Sequence, residues 1–138
     1  LARQPLWRAV QAHPSGVVFP GGESMRDMAA RAVSAVRDWD ARLEDEHGAD
    51  AMWVAVTHGD LIKAVLADAL AMHLDSFQRI VADPGSVSVV SYRPLRPFVV
   101  RLNEHGDLSG LRPARRRRRA RRAASDAVVG GGAGGAVP

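Results

Sequence analysis

Residues 52–70, with the sequence MWVAVTHGDLIKAVLADAL, are the most informative about the fold because they join two apolar segments that differ in period. Residues 52–57 form a continuous apolar run without alternation, which predicts a parallel strand covered on both faces. Residues 61–72 contain only two strongly polar side chains, Lys63 and Asp68, and therefore predict a largely buried helix. A buried strand that passes directly into a buried helix is typical of α/β proteins.

The turn between these two segments, His58-Gly59, lies where α/β folds bind ligands. Ligands bind at the carboxyl ends of the strands in open α/β sheets, and the free N–H groups at a helix start favour an anion there. Gly59 would let the backbone approach such a ligand closely, and His58 could add a hydrogen bond or a positive charge. Phosphate is therefore the expected ligand. The alternative is a neutral His58 hydrogen-bonded at a buried turn, which an isolated His-Gly pair favours.

Two further helices are predicted before this turn. Residues 6–12 read as a short helix that ends ahead of Pro14, because the residue before a proline avoids the helical conformation. Ser24 is placed as a helix N-cap, and apolar residues then recur at helical spacing until His47-Gly48. After the central turn, residues 85–92 and 97–103 are typical of two strands, and the short connection between them favours a hairpin.

The remaining aromatic and histidine side chains are assigned to structure rather than to chemistry. His13 and His73 are expected at the surface or at its boundary. Trp7, Trp39 and Trp53 are expected to pack in the interior, because tryptophan carries a large apolar ring.

Composition divides the chain at residue 107. The formal net charge is +4, but residues 1–107 carry 11 basic and 14 acidic side chains, whereas residues 108–138 carry 8 and 1. The second segment combines an Arg run with a Gly/Ala tract, and such a segment cannot bury enough apolar surface to fold, so we expect it to be disordered. No run reaches the ~18 apolar residues of a membrane-spanning helix. The absence of cysteine fits a cytoplasmic protein.

The segments FPGGES (19–24), THGD (57–60) and SVSVV (86–90), with the helices and strand between them, resemble the C-terminal half of a histidine phosphatase. The resemblance to this phosphoglycerate-mutase-like superfamily covers roughly residues 1–106, and the sequence is most similar to the phosphomutase branch of the superfamily. The resemblance implies an α/β fold: a partial three-layer α/β/α sandwich with a mostly parallel central sheet. It also implies that the N-terminal part is missing, as does the first residue, which is Leu rather than Met. Residues 1–107 would be the domain and residues 108–138 the tail.

The same resemblance implies hydrolysis of a small phosphomonoester, or phosphoryl transfer, through a phosphohistidine. His58 would be the second active-site histidine and Gly59 a phosphate-binding residue, with no metal or other cofactor. Glu23 and Ser24 match a family motif on the loop that leads towards the pocket, which implies that they bind the phosphorylated substrate or orient the arginines, although an ordinary helix start explains them as well. The Arg-His-Gly motif that carries the family's nucleophile occurs nowhere in the 138 residues. We therefore expect this chain to be inactive alone and its central strand to lack a neighbour.

Two other functions are compatible with parts of the sequence. The letters HGDL also occur in kinase catalytic loops, but those loops need an Asn five residues after the Asp, where this chain has Val65. A non-catalytic phosphate- or nucleic-acid-binding protein is the second alternative, since backbone phosphates attract a basic run. That run has no interleaved aromatic residues and no recognisable nucleic-acid-binding fold, and comprises Arg115, Arg116, Arg117, Arg118, Arg119, Arg121 and Arg122.

Overall fold

The computed structural model describes residues 5–106, so the predicted disorder of residues 108–138 lies outside the described part of the chain. A short 3₁₀ turn, Pro14–Gly16, follows the first α-helix, and a 3₁₀ helix, Leu74–Arg79, follows the third. The remaining elements are α1 (Pro5–Ala12), α2 (Met25–His47), α3 (Gly59–Ala69), β1 (Val87–Ser91) and β2 (Phe98–Glu104). Within residues 5–106, no helix is long and apolar enough to span a bilayer.

The hydrophobic core lies where α3 meets α2 and the 3₁₀ helix. Phe77 of the 3₁₀ helix is completely buried, and Leu66 of α3 is 2% exposed. The predicted burial of the third helix is confirmed by Ala64, Leu66 and Ala67, although the helix begins two residues earlier than the pattern indicates. The 3₁₀ helix was not predicted. It places Phe77 against α3 and so fixes the helix that begins next to His58.

The two strands form the antiparallel hairpin that the sequence predicts. Ser91 pairs with Phe98 at the closed end, and Val87 pairs with Glu104 at the open end. This pair is the one sheet formed within residues 5–106. The described chain therefore combines helices with a small antiparallel sheet, and the expected mostly parallel sheet of a three-layer sandwich is not found in it.

Residues 52–57 do not form the predicted buried strand. They belong to no strand, and no backbone hydrogen bond within the described chain involves their N–H groups. The side chains of Val54 and Val56 are 81% and 93% exposed. The physical reason is that a strand needs a neighbour for its backbone groups, and residues 5–106 supply none here. The expectation that this segment lacks a neighbour is thus consistent with the structure.

The second helix covers the core with its N-terminal half only. Met25, Met28 and Ala32 are its buried residues. Trp39, farther along, is 54% exposed and is stacked by Arg42, whose guanidinium carbon lies 5.5 Å from the ring centroid.

The prediction that the tryptophans pack in the interior is therefore wrong for Trp39, and also for Trp7, which is 42% exposed. Trp53 is half-buried, and its indole N–H donates to Asp40 Oδ1 at 3.1 Å.

The N-terminus of α2 is capped as the sequence predicts. Ser24 has extended backbone angles, and its hydroxyl oxygen accepts the N–H of Asp27 at 3.0 Å. The same hydroxyl donates to the Asp27 carboxylate at 2.6 Å, so Asp27 contacts the cap through its side chain as well as its N–H group. An N-cap of this kind satisfies a helix N–H group that otherwise has no partner.

Replacing Ser24 with Ala is expected to lower the free energy of unfolding by about 1 kcal/mol, because the cap is lost. Denaturant unfolding followed by circular dichroism measures this change. Ser34→Ala, an exposed position inside the same helix, is the matched control and should leave stability almost unchanged. Equal stability of the Ser24 and Ser34 variants would show that the cap contributes nothing.

Asp75 joins the 3₁₀ turn, Pro14–Gly16, to the 3₁₀ helix, Leu74–Arg79. Its carboxylate accepts the backbone N–H of Ser15 at 2.8 Å and the Ser15 hydroxyl at 3.0 Å. The Nδ1 atoms of His13 and His73 lie 3.0 and 3.3 Å from the same carboxylate. The Ser15 N–H bond is the main cause that lowers the pKa of Asp75 below its ordinary value of 3.8. Both histidine side chains are largely exposed, which confirms that they are surface residues.

The lowered pKa of Asp75 predicts a loss of stability in acid. A carboxyl whose pKa is lower in the folded chain than in the unfolded chain stabilises the fold at pH values above its unfolded-state pKa. This stabilisation is lost as the pH falls from the unfolded-state pKa through the folded-state pKa. Asp75→Asn should therefore be less stable than the parent at neutral pH, with a smaller loss of stability on acidification below about pH 4. Thermal unfolding across that range measures both effects. Asp50→Asn, at an exposed position, should retain the acid dependence of the parent.

Candidate active site

His58 lies at the boundary between the unpaired segment and α3. It is the N-cap residue of α3, with φ −106° and ψ 156°, so its backbone is still extended and the helix begins at the next residue. Its side chain is exposed and makes no cap hydrogen bond. Within residues 5–106, this side chain makes no hydrogen bond and no ion pair. The structure of these residues therefore does not fit the alternative of a neutral His58 hydrogen-bonded at a buried turn.

The first turn of α3 presents unsatisfied N–H groups beside His58. The first intrahelical bond runs from the N–H of Ile62 to the carbonyl of His58, at 3.0 Å. The N–H groups of Gly59, Asp60 and Leu61 have no hydrogen-bond partner within the described chain. Three unsatisfied donors at a helix start, together with the helix dipole, favour an anion at this place.

Gly59 is a glycine that the fold itself does not require. Its φ does not lie in the left-handed region, and a Cβ added to it would lie 3.7 Å from the carbonyl oxygen of Ala82, an ordinary van der Waals distance. Alanine would therefore fit in the unliganded chain and would also favour the helix. The use of glycine here is consistent with close approach by a ligand.

The charged residues of α3 nearest to His58 do not contact it. Asp60, in the first turn, is exposed, and its carboxylate interacts favourably with the helix dipole but would repel a bound anion. Lys63 is directed towards the 3₁₀ helix instead. Its Nζ donates to Gln78 Oε1 at 3.1 Å and lies 6.0 Å from the Phe77 ring centroid. A ligand at the helix start would thus meet the His58 imidazole and backbone donors.

Glu23 and Ser24 are engaged in local interactions. The Glu23 carboxylate accepts two hydrogen bonds from the Arg31 guanidinium, at 2.6 and 3.3 Å, and this pairing raises the pKa of Arg31. Ser24 caps α2. No hydrogen bond or ion pair links either residue to His58 or Gly59. Among residues 5–106 there is also no group of three or more His, Cys, Asp or Glu side chains that could hold a metal ion.

A model of the histidine phosphatase superfamily (branch 1) matches residues 2–105. The chain belongs to the histidine phosphatase superfamily. This match confirms the resemblance inferred from FPGGES, THGD and SVSVV. No protein in the curated set matches the chain at a significant level.

Of the two histidine motifs that the resemblance predicts, the chain contains THGD at residues 57–60, and the structure places its His58 directly before α3. The second His-Gly pair in the chain, His105-Gly106, follows β2, and the His105 imidazole lies 3.6 Å from Asp83 Oδ2. It follows Glu104 rather than an arginine, so it does not supply the family's Arg-His-Gly motif.

A pair of residues close to the candidate site, Asp83 and Asn103, was not predicted from the sequence. Asn103 donates from Nδ2 to Asp83 Oδ2 at 2.8 Å and accepts the backbone N–H of Asp83 at Oδ1, also at 2.8 Å. The Asn103 bond is the main cause that lowers the pKa of Asp83. Asp83 follows Ala82, whose carbonyl faces Gly59. The sequence signal was Asp-Pro-Gly-Ser, which is typical of a turn but does not show where the Asp side chain points.

Proposed function

We propose that His58 and Gly59 bind the phosphoryl group of a small phosphomonoester. The observation that carries this proposal is the exposed imidazole of His58, directly before three N–H groups of α3, all without a hydrogen-bond partner among residues 5–106. A phosphoryl oxygen accepts hydrogen bonds from both kinds of donor, and a protonated imidazole adds a positive charge. The family membership supports the same ligand class.

The reaction we propose is phosphomonoester hydrolysis or phosphoryl transfer through a phosphohistidine, in a protein that also supplies Arg-His-Gly. The histidine of that motif attacks phosphorus while the bond to the leaving oxygen breaks, and an acid protonates that oxygen. Water, or a second alcohol in a phosphomutase, then attacks the phosphohistidine and frees the nucleophile. His58 and the N–H groups of α3 stabilise negative charge on the phosphoryl oxygens in both steps.

Glu23 and Ser24 have a supporting role in this proposal. Glu23 fixes the Arg31 guanidinium through two hydrogen bonds, and from the family motif we infer that it orients this cation for the substrate. Ser24 fixes the start of the helix that carries Arg31. Direct contact of either side chain with substrate is a further proposal from the family motif.

The 138 residues alone are expected to hydrolyse p-nitrophenyl phosphate at the background rate, since they contain no Arg-His-Gly nucleophile. His58→Ala should have the same rate as the parent chain. The assay uses purified protein with a chelator present. A clear rate that resists the chelator and disappears in the His58 variant would show that another residue acts as the nucleophile, and would overturn this part of the proposal.

The alternative function is non-catalytic binding of phosphate or nucleic acid through the basic segment, residues 115–122. It rests on the sequence alone, because these residues lie outside the described part of the chain. Binding through counterion release weakens steeply as salt rises. DNA binding that persists at high salt would favour a specific nucleic-acid function over the phosphomonoester site.

A further inference from the structure

We propose that Asn103, acting through Asp83, is a positioning residue that holds one wall of the phosphate site against Gly59. This inference rests on the proposed function, because it concerns the same corner of the molecule. The wall segment is residues 81–86, and the carbonyl oxygen of its Ala82 lies 3.7 Å from the position of a Cβ on Gly59. Neither Asn103 nor Asp83 contacts the reacting atoms in this proposal.

The wall segment has few apolar contacts of its own. The chain leaves the core at Ile80, which is 6% exposed, and Val81, the first residue of the wall segment, is 56% exposed. Asp83, Pro84 and Gly85 are also exposed. A segment with so little buried surface is ordered mainly by its hydrogen bonds. The position of Ala82 therefore depends on what holds Asp83.

Internal bonds of the wall segment shape a turn but do not attach it to α3 or β2. The N–H and the hydroxyl of Ser86 both donate to the carbonyl of Asp83, at 3.1 and 2.8 Å. Pro84 and Gly85 occupy the central positions, and Gly85 has φ +79°, as a type II turn requires. This turn would keep its shape in any orientation. The attachment comes from the two reciprocal bonds between Asp83 and Asn103.

The backbone of β2 is distorted so that Asn103 can make these bonds. Between the pairs Val87–Glu104 and Val89–Arg101, β1 advances by two residues and β2 by three, which defines a bulge. Asn103 lies in this bulge with φ +52°, a left-handed conformation that Asn tolerates better than most residues. Its N–H donates to the Ser88 hydroxyl at 3.1 Å instead of to a strand carbonyl. A bulge of this kind re-aims a side chain, here towards Asp83.

The test compares Asn103→Gly with two control variants of the full chain. Glycine keeps the left-handed backbone but removes the amide, so the fold should persist while the attachment is lost. Asp83→Asn keeps an oxygen that accepts from Asn103 and a backbone N–H that donates to it, and so should preserve the attachment. His105→Ala removes only the longer 3.6 Å ion pair to Asp83.

The readouts are the amide NMR signals of Gly59 and Asp60 and the hydrogen-exchange rate of the Asp83 N–H, all without ligand. Asn103→Gly should shift both signals and speed exchange about 5- to 10-fold, as expected for the loss of a hydrogen bond worth about 1 kcal/mol. The two control variants should match the parent. Inorganic phosphate should then bind Asn103→Gly several-fold more weakly than the parent.

Unchanged Gly59 signals and unchanged Asp83 exchange in Asn103→Gly would overturn the positioning role. The same conclusion follows if His105→Ala perturbs Gly59 as strongly, because that variant leaves both bonds between Asn103 and Asp83 in place. Failure of the parent chain to bind phosphate would instead count against the proposed function. The ligand-free signals would still decide whether Asn103 positions the wall.

Discussion

Fused to an N-terminal half that carries Arg-His-Gly, this chain is expected to hydrolyse phosphomonoesters without added metal. Replacing His58 with Ala in the fusion should then lower the rate by at least ~10²-fold, as expected when a preorganised group that stabilises the phosphoryl oxygens is removed. Replacing the nucleophilic histidine of the added half should have an effect at least as large. His47→Ala, at the far end of α2, is the control and should leave the rate unchanged.

The unpaired segment 52–57 is the structural reason for this expectation. Its N–H groups have no backbone partner within residues 5–106, and Val54 and Val56 are almost fully exposed. An apolar segment of this kind is able to accept a neighbouring strand and is prone to aggregation without one. In the fusion, these N–H groups should become protected from hydrogen exchange, and the chain should become more soluble.

Two outcomes of the fusion experiment would contradict the account. One is a fusion that folds with residues 52–57 protected yet shows no activity on phosphomonoesters. The other is activity that needs a divalent metal and does not depend on His58. The first outcome would show that the chain has the fold but does not take part in the proposed reaction. The second would show that the reaction proceeds by a mechanism other than the phosphohistidine mechanism.

Phe77→Ala is expected to lower the free energy of unfolding by about 3–5 kcal/mol, because the residue is completely buried where the 3₁₀ helix meets α3. This is a large part of the stability of a small domain. Urea unfolding measures the loss. Leu95→Ala, at a site that is 62% exposed, is the control and should change stability by less than about 0.5 kcal/mol. A loss below about 1 kcal/mol for Phe77 would show that the core does not centre on this ring.

The parts of the fold that depend on local sequence were predictable. The period of the apolar residues and the Ser24 cap located α2, and the spacing of two β-rich runs located the hairpin. Residues 52–57 were not predicted correctly, because their apolar pattern specifies burial by neighbours that residues 5–106 do not contain. Pattern alone does not show whether the covering elements are present.

The candidate site was predictable only in the part that depends on local sequence. His58 was predicted as a ligand-binding residue because a histidine after an apolar run and before a helix is typical of such a position, and the family motif supports the same prediction. The pairing of Asp83 with Asn103 was missed because it depends on a bulge and on one left-handed residue. Neither feature has a strong sequence signal when the residue is Asn rather than Gly.

The most direct test of whether His58 binds a phosphoryl group is an NMR titration of the isotope-labelled chain with inorganic phosphate. A second titration with sodium chloride at the same ionic strength is the control. Phosphate should cause saturable shifts of the Gly59, Asp60 and Leu61 amides and of the His58 ring, and sodium chloride should not. His58→Ala should weaken this binding, whereas His47→Ala should not. Shifts that are absent from the start of α3, or equal in phosphate and chloride, would contradict the assignment of His58 as a phosphoryl-binding residue.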